Sequence, residues 1–392
     1  MAGAGGRRAG AVVTGAAHEL VFGMGPDPAV APDWPPLSRA ELDPVLREVG
    51  LGGAADLEWR SPRPLSAACR VRTADGRVVV VKRLPKALRT PEALGEEHAF
   101  ADHLRANGIP VPVTFGARHG DAAVRGRDFS YEVQSVGVGD DRYGGDFSWT
   151  PYLSVDHARA AGRMLARLHV AAHRFDAPPR PARPLLSRLH TFGPGDPISK
   201  VADLIRQRPA VATFLAARDW RTDIARVHLP HHRRLAPLLD DLEPLWTHND
   251  WHGTNLLWRG DGPSSRVTAV IDFGLSDRTT AVFDLATAIE RSAVDWLAIR
   301  GGGAANVRFD QIRALLSGYG EVRKLTAAER RALPLLFPLV HADYELSEID
   351  YFLSVVPGGN PENAEIAYRD YFLGHTAWID TPAGHSLRNA LA

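Results

Sequence analysis

Three polar residues in the second half of the chain have types and spacing that suit phosphoryl transfer. Asp250 lies five residues before Asn255, and Asp272 lies seventeen residues after Asn255, in an Ile-Asp-Phe-Gly run that ends a short predicted strand. Mg²⁺ prefers oxygen ligands, and Asn255 and Asp272 could supply two of them. A further carboxylate must orient the acceptor hydroxyl and take its proton, which Asp250 could do. Each residue alone could be a turn or cap residue, but their joint order predicts a catalytic loop followed by a metal-binding loop.

The stretches around these residues resemble the aminoglycoside phosphotransferase and choline kinase-like family of the protein-kinase-like superfamily. The resemblance rests on HNDWHGTNLLW, VIDFGLSD and VFDLATAIE, and it covers about residues 60–300. His248, Asp250, His252 and Asn255 stand where the loop of this family has its histidines, aspartate and asparagine. The resemblance implies an α+β fold of two lobes with ATP between them. The small N-terminal lobe should have an antiparallel sheet and one key helix, and the larger C-terminal lobe should be mainly helical.

The resemblance also implies an enzyme, a phosphotransferase that uses ATP and Mg²⁺ to phosphorylate a hydroxyl group of a small molecule. The acceptor could be an antibiotic, an amino alcohol or a sugar-like metabolite. Two alternatives stay open, a protein Ser/Thr kinase of the small cytosolic kinase-like type and a nucleotide-binding regulatory pseudokinase. The filled catalytic positions argue against the pseudokinase, and the lack of an Ala-Pro-Glu-like segment argues against a eukaryotic-type protein kinase.

A cation for the ATP phosphates is expected in the N-terminal lobe. Lys82, one of four lysines among 46 basic residues, directly follows the β-branched run Val78–Val81, where a kinase places its phosphate-binding lysine. This lysine needs an acidic partner on a nearby helix, and we expect Glu97 to be that partner while Glu96 is solvated. The alternative for Lys82 is a surface lysine beside Arg83.

Other contacts to the nucleotide are expected on two connecting segments. The loop at residues 61–68 has no Gly-x-Gly-x-x-Gly pattern, and its Ser66 is the candidate for a phosphate contact, with an ordinary hairpin turn as the alternative. The link between the lobes should follow the strand that ends near Val133. Backbone groups at Gln134 and Val136 are then expected to read the adenine.

The acceptor site is the least determined part of the prediction. His341, Glu345 and Glu348 fall at i, i+4 and i+7, on one helical face, and could bind a cationic acceptor. The alternative is a solvated acidic face. Arg278 could instead contact an acidic acceptor, with a surface role as the alternative. His252 could touch either phosphate or acceptor, with a packed loop histidine as the alternative. The glutamates would favour a cationic acceptor and Arg278 an acidic one, so the charge of the acceptor stays open.

The organisation of the chain follows from its local patterns. Residues 1–36 are rich in Gly, Ala and Pro without periodicity, which predicts a flexible tail. Residues 37–137 mix helical and strand patterns and should form the nucleotide-binding N-terminal lobe. Residues 138–392 are mainly helical in pattern and should carry the catalytic loop and the acceptor site.

Composition excludes several classes of protein. The 392 residues include 46 basic and 46 acidic side chains, so no charge excess favours nucleic acid or an anionic membrane. The chain has one cysteine, which excludes an internal disulfide framework and fits a reducing, cytoplasmic location. No apolar run is long enough to span a bilayer. The expected partner is therefore a small molecule, with the oligomeric state open.

Overall fold

A computed structural model describes residues 20–24, 29–118, 120–300 and 306–392, which form a sheet-rich lobe followed by a helical lobe. The strands are β1 (Val21–Phe22), β2 (Ala29–Val30), β3 (Ala54–Arg60), β4 (Ala67–Thr73), β5 (Val78–Pro85), β6 (Val124–Arg125), β7 (Phe129–Ser135), β8 (Pro244–Thr247), β9 (Leu256–Arg259), β10 (Arg266–Val270) and β11 (Asp277–Thr280). The α-helices are α1 (Arg39–Glu48), α2 (Pro91–Ala106), α3 (Val155–Ala172), α4 (Pro197–Gln207), α5 (Pro209–Ala216), α6 (Trp220–Val227), α7 (Leu229–Leu235), α8 (Ala281–Ala293), α9 (Trp296–Arg300), α10 (Phe309–Val322), α11 (Ala327–Leu336), α12 (Ala342–Asp350), α13 (Pro361–Ile366), α14 (Gly374–Trp378) and α15 (Pro382–Leu391).

The sheet of the N-terminal lobe is antiparallel, with the strand order β3-β4-β5-β7-β6. Its strands are rich in β-branched residues, and Val79 and Val81 of β5 are buried in a core shared with α1. Because side chains alternate along a strand, Lys82 points to the opposite face. The register of the sheet places Lys82 beside Glu132 of β7.

Helix α2 joins the two lobes. It begins as the sequence predicts, with the side chain of Thr90 accepting from the backbone N–H of Ala93 at 3.3 Å. Phe100 of this helix is fully buried, and its ring lies 5.5 Å from Trp246 and 5.9 Å from Phe273, both in the helical lobe. Aromatic pairs at these distances add to the stabilisation from burial. The position of α2 is therefore tied to the strands that carry the catalytic residues.

Two small antiparallel sheets carry the segments of the helical lobe that are predicted to be catalytic. Strand β8 pairs with β11, and β9 pairs with β10. The predicted catalytic loop, residues 248–255, connects β8 to β9, and Asp272 follows β10. Helix α10 packs against α3 and α8, and α3 and α8 in turn pack against these strands. The helices thus form the support on which the catalytic segments rest.

Part of the segment predicted as a flexible tail packs against the rest of the protein. Residues 1–19 and 25–28 of that prediction lie outside the described residues. Trp34 is buried, and its indole N–H donates to the hydroxyl of Tyr351 at 2.8 Å. The backbone N–H of Phe22 donates to the carbonyl of Pro62 at 2.9 Å. Residues 20–24 and 29–36 are therefore not a loose tail, because a buried, hydrogen-bonded indole anchors them.

Close packing of α3 against α10 yields a test of this support. The Cβ of an alanine at Gly162 of α3 would overlap the carbonyl oxygen of Leu315 in α10. We expect Gly162→Ala to lower the free energy of unfolding by about 3 kcal/mol, measured by chemical denaturation. Gly320→Ala, in the same α10, meets only the end of Lys324 and is the matched control. It should stabilise the protein by about 0.5 kcal/mol. Equal effects of the two substitutions would contradict the prediction.

Candidate active site

The buried carboxylate of Asp284, on α8, holds the catalytic loop. Its two oxygens accept the backbone N–H groups of His248 and Asn249, each at 2.9 Å. The ring of His169, on α3, contacts the same carboxylate at 3.1 Å. Asn249 has φ of 60°, a left-handed conformation that a non-glycine residue keeps only when its surroundings impose it. This bend directs the next residue, Asp250, into the cleft between the lobes.

Asp250 is oriented by three side chains. The amide nitrogen of Asn255 donates to Asp250 Oδ2 and to its backbone carbonyl, both at 2.9 Å. His252 Nε2 lies 3.1 Å from Asp250 Oδ1, and the guanidinium of Arg291 pairs with the same oxygen. Burial lowers the pKa of His252 to about 3, so its ring is neutral at physiological pH and donates from one nitrogen only. The carboxylate therefore has a fixed direction.

Asp272 faces the catalytic loop from the end of β10. Its φ is 60°, and its Oδ1 accepts from Lys82 Nζ at 2.9 Å. Burial is the largest effect and opposes ionisation of this carboxyl, but the charge and hydrogen bond of Lys82, together with His248 and the backbone N–H of Gly274, lower the pKa of Asp272. Asp272 also raises the pKa of Lys82, again against burial. Both groups are therefore charged at neutral pH, and the ion pair links β5 of one lobe to the other lobe.

The structure contradicts the predicted pairing of Lys82 with Glu97. The carboxylate of Glu97 accepts from Arg89 at 2.7 Å and from the buried guanidinium of Arg180, while Lys82 pairs with Asp272. Arg89 also donates to the backbone carbonyl of Leu185 in the helical lobe. Arg89 and Arg180 are buried, and a buried guanidinium group is costly without a carboxylate partner. Lys82 already has Asp272 as its partner, so Glu97 pairs with the two arginines. Glu97 still lines the cleft, but as the anchor of an interlobe arginine pair.

Glu96 is likewise not simply solvated. It pairs with Arg183 at 3.0 Å and with Arg180 at 3.3 Å. Its side chain is about one-third exposed. The two adjacent glutamates of α2 thus both bind arginines of the segment that follows α3.

The residues predicted to contact the nucleotide fall in two places. Ser66, at the turn between β3 and β4, lines the cleft together with Lys82. The side chain of Gln134 donates to Glu132 at 2.7 Å, and Val136 is half-buried. Neither Gln134 nor Val136 is among the described residues that line the cleft. The reading of adenine by backbone groups at these positions stays a prediction.

Two of the residues predicted for the acceptor site line the cleft, His252 and Glu348. His252 also contacts the carboxylate of Asp250. Glu348 lies on α12, only 3% exposed, and its Oε1 accepts from the hydroxyl of Tyr344 at 3.1 Å. Burial raises its pKa to about 7. The alternative of a solvated acidic face is therefore wrong, because α12 packs this face inward.

The other three predicted acceptor residues are not among the cleft-lining residues that the structure describes. Arg278 donates to Asp176 at 3.0 Å in an exposed pair. His341 and Glu345 are buried behind the cleft wall, at 3% and 0% exposure. A helical spacing of four and seven places three side chains on one face, but it does not say how deep each one lies.

Sequence reasoning missed Arg291, the residue that contacts Asp250 from α8. Its guanidinium lies 4.8 Å from the ring centre of Trp149 and 5.0 Å from that of Tyr344, between two aromatic faces. Arg291 follows Asp284 by seven residues, two helical turns, so both side chains emerge on the same side of α8. This spacing was a usable signal. Trp149 and Tyr344 lie far apart in the sequence, and no sequence pattern indicated that both contact Arg291.

Comparison with known proteins identifies the family. The profile described as phosphotransferase enzyme family, APH, matches residues 65–325, more than half of the chain. The chain belongs to the phosphotransferase enzyme family. It is 26% identical over 264 residues to homoserine kinase of Bradyrhizobium diazoefficiens, covering 66% of this chain and 69% of that one. It is 29% identical over 250 residues to homoserine kinase of Gluconacetobacter diazotrophicus, covering 63% and 65%.

Fold comparison agrees with this assignment. The solved structure of amicoumacin kinase hAmiN in complex with AMP-PNP, Ca²⁺ and Ami superposes with a TM-score of 0.50 at 11% identity, over 78% of this chain and 84% of that one. The predicted two-lobed, α+β, protein-kinase-like fold is confirmed. The predicted enzyme class is confirmed as well: the chain is a phosphotransferase. Among the described helices, none has both the length and the hydropathy of a membrane span.

The Asp284 contacts generate a prediction for this phosphotransferase. In Asp284→Asn an amide NH₂ would face a backbone N–H that now finds a carboxylate oxygen. We expect the free energy of unfolding to fall by about 3 kcal/mol. We also expect kcat to fall about 10- to 100-fold, because the loop loses its fixed geometry. Asp203→Asn, in an exposed pair, is the control and should shift stability by less than about 1 kcal/mol. Unchanged stability and kcat in Asp284→Asn would contradict the bracing role.

Proposed function

We propose that this phosphotransferase transfers the γ-phosphoryl group of ATP to the hydroxyl of a small acceptor in a Mg²⁺-dependent reaction, in the cleft between its lobes. The observation that supports this most directly is that Lys82, Asp272, Asn255 and Asp250 all line one cavity of about 240 Å³. Lys82 supplies a cation and Asp272 a metal-binding carboxylate. Asn255 supplies an amide oxygen and Asp250 a proton acceptor. This is the set of groups that phosphoryl transfer requires.

The donor set fits a magnesium ion. Asn255 uses its amide nitrogen on Asp250, which leaves its oxygen Oδ1 as the metal ligand. Asp272 uses Oδ1 on Lys82, which leaves Oδ2. Hard oxygen ligands of this type suit Mg²⁺, which when bound neutralises charge on the phosphates. Lys82 is then placed to contact the phosphates, and Ser66 lies at the turn that covers them.

Asp250 is proposed to act on the acceptor. Its carboxylate accepts the hydroxyl hydrogen and orients the oxygen toward the phosphorus. As the new O–P bond forms and the bond to the leaving ADP breaks, the hydroxyl proton passes to Asp250. Asn255 and the neutral ring of His252 hold the carboxylate in place during this transfer.

The charges around the acceptor side of the cleft favour an acceptor that carries both signs. The guanidinium of Arg291 forms an ion pair with Asp250. An anionic group on the acceptor would give this guanidinium a second partner. Glu348 lines the same cavity beside Tyr344, where a cationic group could bind. We propose a small hydroxylated amino acid or a close analogue. Homoserine is the first compound to test, because it is the substrate in the name of the similar curated kinases.

The first test is a comparison of three matched acceptors by ATP consumption with mass detection of the phosphorylated product. Homoserine carries an amine and a carboxylate, 4-hydroxybutyrate lacks the amine, and 3-amino-1-propanol lacks the carboxylate. We expect the highest kcat/KM with the compound that has both groups. Turnover of an aminoglycoside or macrolide alone would refute the acceptor class while leaving phosphoryl transfer intact. Autophosphorylation without small-molecule turnover would refute the small-molecule acceptor itself.

Asp250→Asn tests the proposed chemistry. We expect kcat to fall roughly 100- to 10,000-fold, because the amide cannot take the proton. The Kd for ATP should stay close to that of the natural protein, since the substitution is on the acceptor side. Asp240→Asn, an exposed carboxylate outside the cleft, is the control and should leave kcat unchanged. A variant at Asp250 that kept most of the turnover would remove its assigned role.

The pH dependence of the acceptor step tests Glu348. Burial raises the pKa of this carboxyl to about 7, so it is mostly neutral below pH 7 and mostly charged above it. For an acceptor with an ammonium group, kcat/KM should therefore rise with pH through about 7. The groups that face Glu348 are Glu345, Tyr344 and Arg291, and all three are unchanged in the Glu348→Gln variant. In Glu348→Gln the rise should disappear while KM for ATP stays constant. A profile identical to that of the natural protein would exclude Glu348 from acceptor binding.

A further inference from the structure

Three buried side chains from separate helical segments meet behind the wall of the cleft. Glu290 lies on α8, His341 directly precedes α12, and His375 lies on α14, with exposures of 1%, 3% and 4%. One ligand atom from each lies within 4.8 Å of the other two. His375 Nδ1 is 2.9 Å from Glu290 Oε1, and the rings of His341 and His375 are 5.0 Å apart. The three residues are called the Glu-His-His cluster below.

Hydrogen bonding inside the protein does not satisfy this cluster. His341 Nδ1 is buried and has no partner among the described residues. Glu345, one helical turn after His341, is also buried, and the side chain that interacts with its carboxyl is Glu348. Unpaired buried polar atoms are costly and uncommon in native proteins. The Glu290–His375 contact accounts for two members of the cluster, but it leaves Nδ1 of His341 unexplained.

The aromatic surroundings fix the cluster in place. The ring of Trp296 stacks on His375 with centroids 3.8 Å apart, and its indole N–H donates to the backbone carbonyl of Glu290 at 2.8 Å. His341 has Thr376 as a weak neighbour, 3.4 Å from Nε2. The histidines are thus oriented by packing, as the ligands of a preformed site are.

We propose that the Glu-His-His cluster binds a divalent transition-metal ion, zinc in particular, as a structural site distinct from the magnesium site of the cleft. Two imidazole nitrogens and a carboxylate oxygen are a donor set that zinc binds well and that magnesium does not prefer. Zinc bonds of about 2.0–2.1 Å require ligand atoms about 3.3 Å apart, so a modest inward shift of the three side chains would close the site.

Burial prepares the ligands electrostatically. It lowers the pKa of His341 and of His375 to about 3, so both rings are neutral, the form that binds metal. It raises the pKa of Glu290 to about 7, which a bound dication would reverse. Glu290 is also close enough to Glu345 to raise the pKa of that carboxyl further, after burial and Glu348.

The experiment measures metal binding directly. The full chain, purified without a histidine tag and stripped with a strong chelator, is loaded with Zn²⁺, passed over a desalting column and analysed by mass spectrometry for metal. We expect about one zinc per chain, and a Co²⁺-loaded sample with the visible absorption of a tetrahedral site. The melting temperature should rise on zinc addition. Protein that retains no zinc and shows no cobalt absorption would overturn the proposal.

Variants assign the metal to the cluster. Glu290→Gln can keep the hydrogen bond to His375 but removes the charged ligand, and His375→Gln removes an imidazole. Both should retain close to no zinc and lose the zinc-dependent rise in melting temperature. His231→Gln, a buried histidine outside the cluster, and Asp272→Asn, in the cleft, should keep the metal. Zinc retained by Glu290→Gln and His375→Gln would place the metal elsewhere and overturn the assignment. Should these variants not fold, the cobalt spectrum and zinc-dependent melting of the natural protein still decide the matter.

Discussion

The catalytic geometry depends on one buried carboxylate. Asp284 accepts two consecutive backbone N–H groups of the catalytic loop and contacts His169 of α3. A fully buried carboxylate is stable only when its hydrogen bonds are complete, so the loop and the two helices must come together in one arrangement. The left-handed turn at Asn249 is kept by this arrangement and directs Asp250 into the cleft. Local strain at the loop is thus offset by contacts made outside it.

A second principle organises the cleft, in which each of the two carboxylates proposed for catalysis has its own cation. Lys82 pairs with Asp272, and Arg291 pairs with Asp250. At Asp272 burial opposes ionisation, and Lys82 is the main group that keeps the pKa of this carboxyl low. The pairs also connect elements that could otherwise move apart, since Lys82 belongs to the sheet and Asp272 to the helical lobe. In the proposed reaction, phosphates and acceptor become new partners for the same two cations.

The sequence was informative where function depends on local spacing. Asp250, Asn255, Asp272 and Lys82 were predicted because each occupies a set position in or after a short strand, and the structure brings all four to one cavity. The partner of Glu97 could not be predicted in this way. It is set by Arg180, 83 residues away in sequence, whose burial no pattern revealed.

The prediction of a flexible N-terminal segment was wrong for a related reason. Low periodicity and many Gly, Ala and Pro residues indicated a tail, but a single indole decides where its last part lies. Trp34 finds its hydrogen-bond partner, Tyr351, 317 residues later. Composition averages over a window and does not register one anchoring residue. The same limit applies to Trp149, which meets Arg291 and Tyr344 only after the helical lobe has closed.

The burial of the acidic face of α12 gives the acceptor and the metal proposals a common physical basis. Glu345 and Glu348 on this helix and Glu290 on α8 are all nearly inaccessible, and burial raises the pKa of each. Carboxylates placed this way weaken a fold unless something compensates them. Arg291 compensates only in part, since its guanidinium also serves Asp250. A cationic acceptor group would compensate Glu348 on the cleft side of α12. A metal at the Glu-His-His cluster would compensate Glu290 behind the wall of the cleft. Because Glu290 and Arg291 are adjacent in α8, a metal at the back would also fix the helix that presents Arg291 to the acceptor.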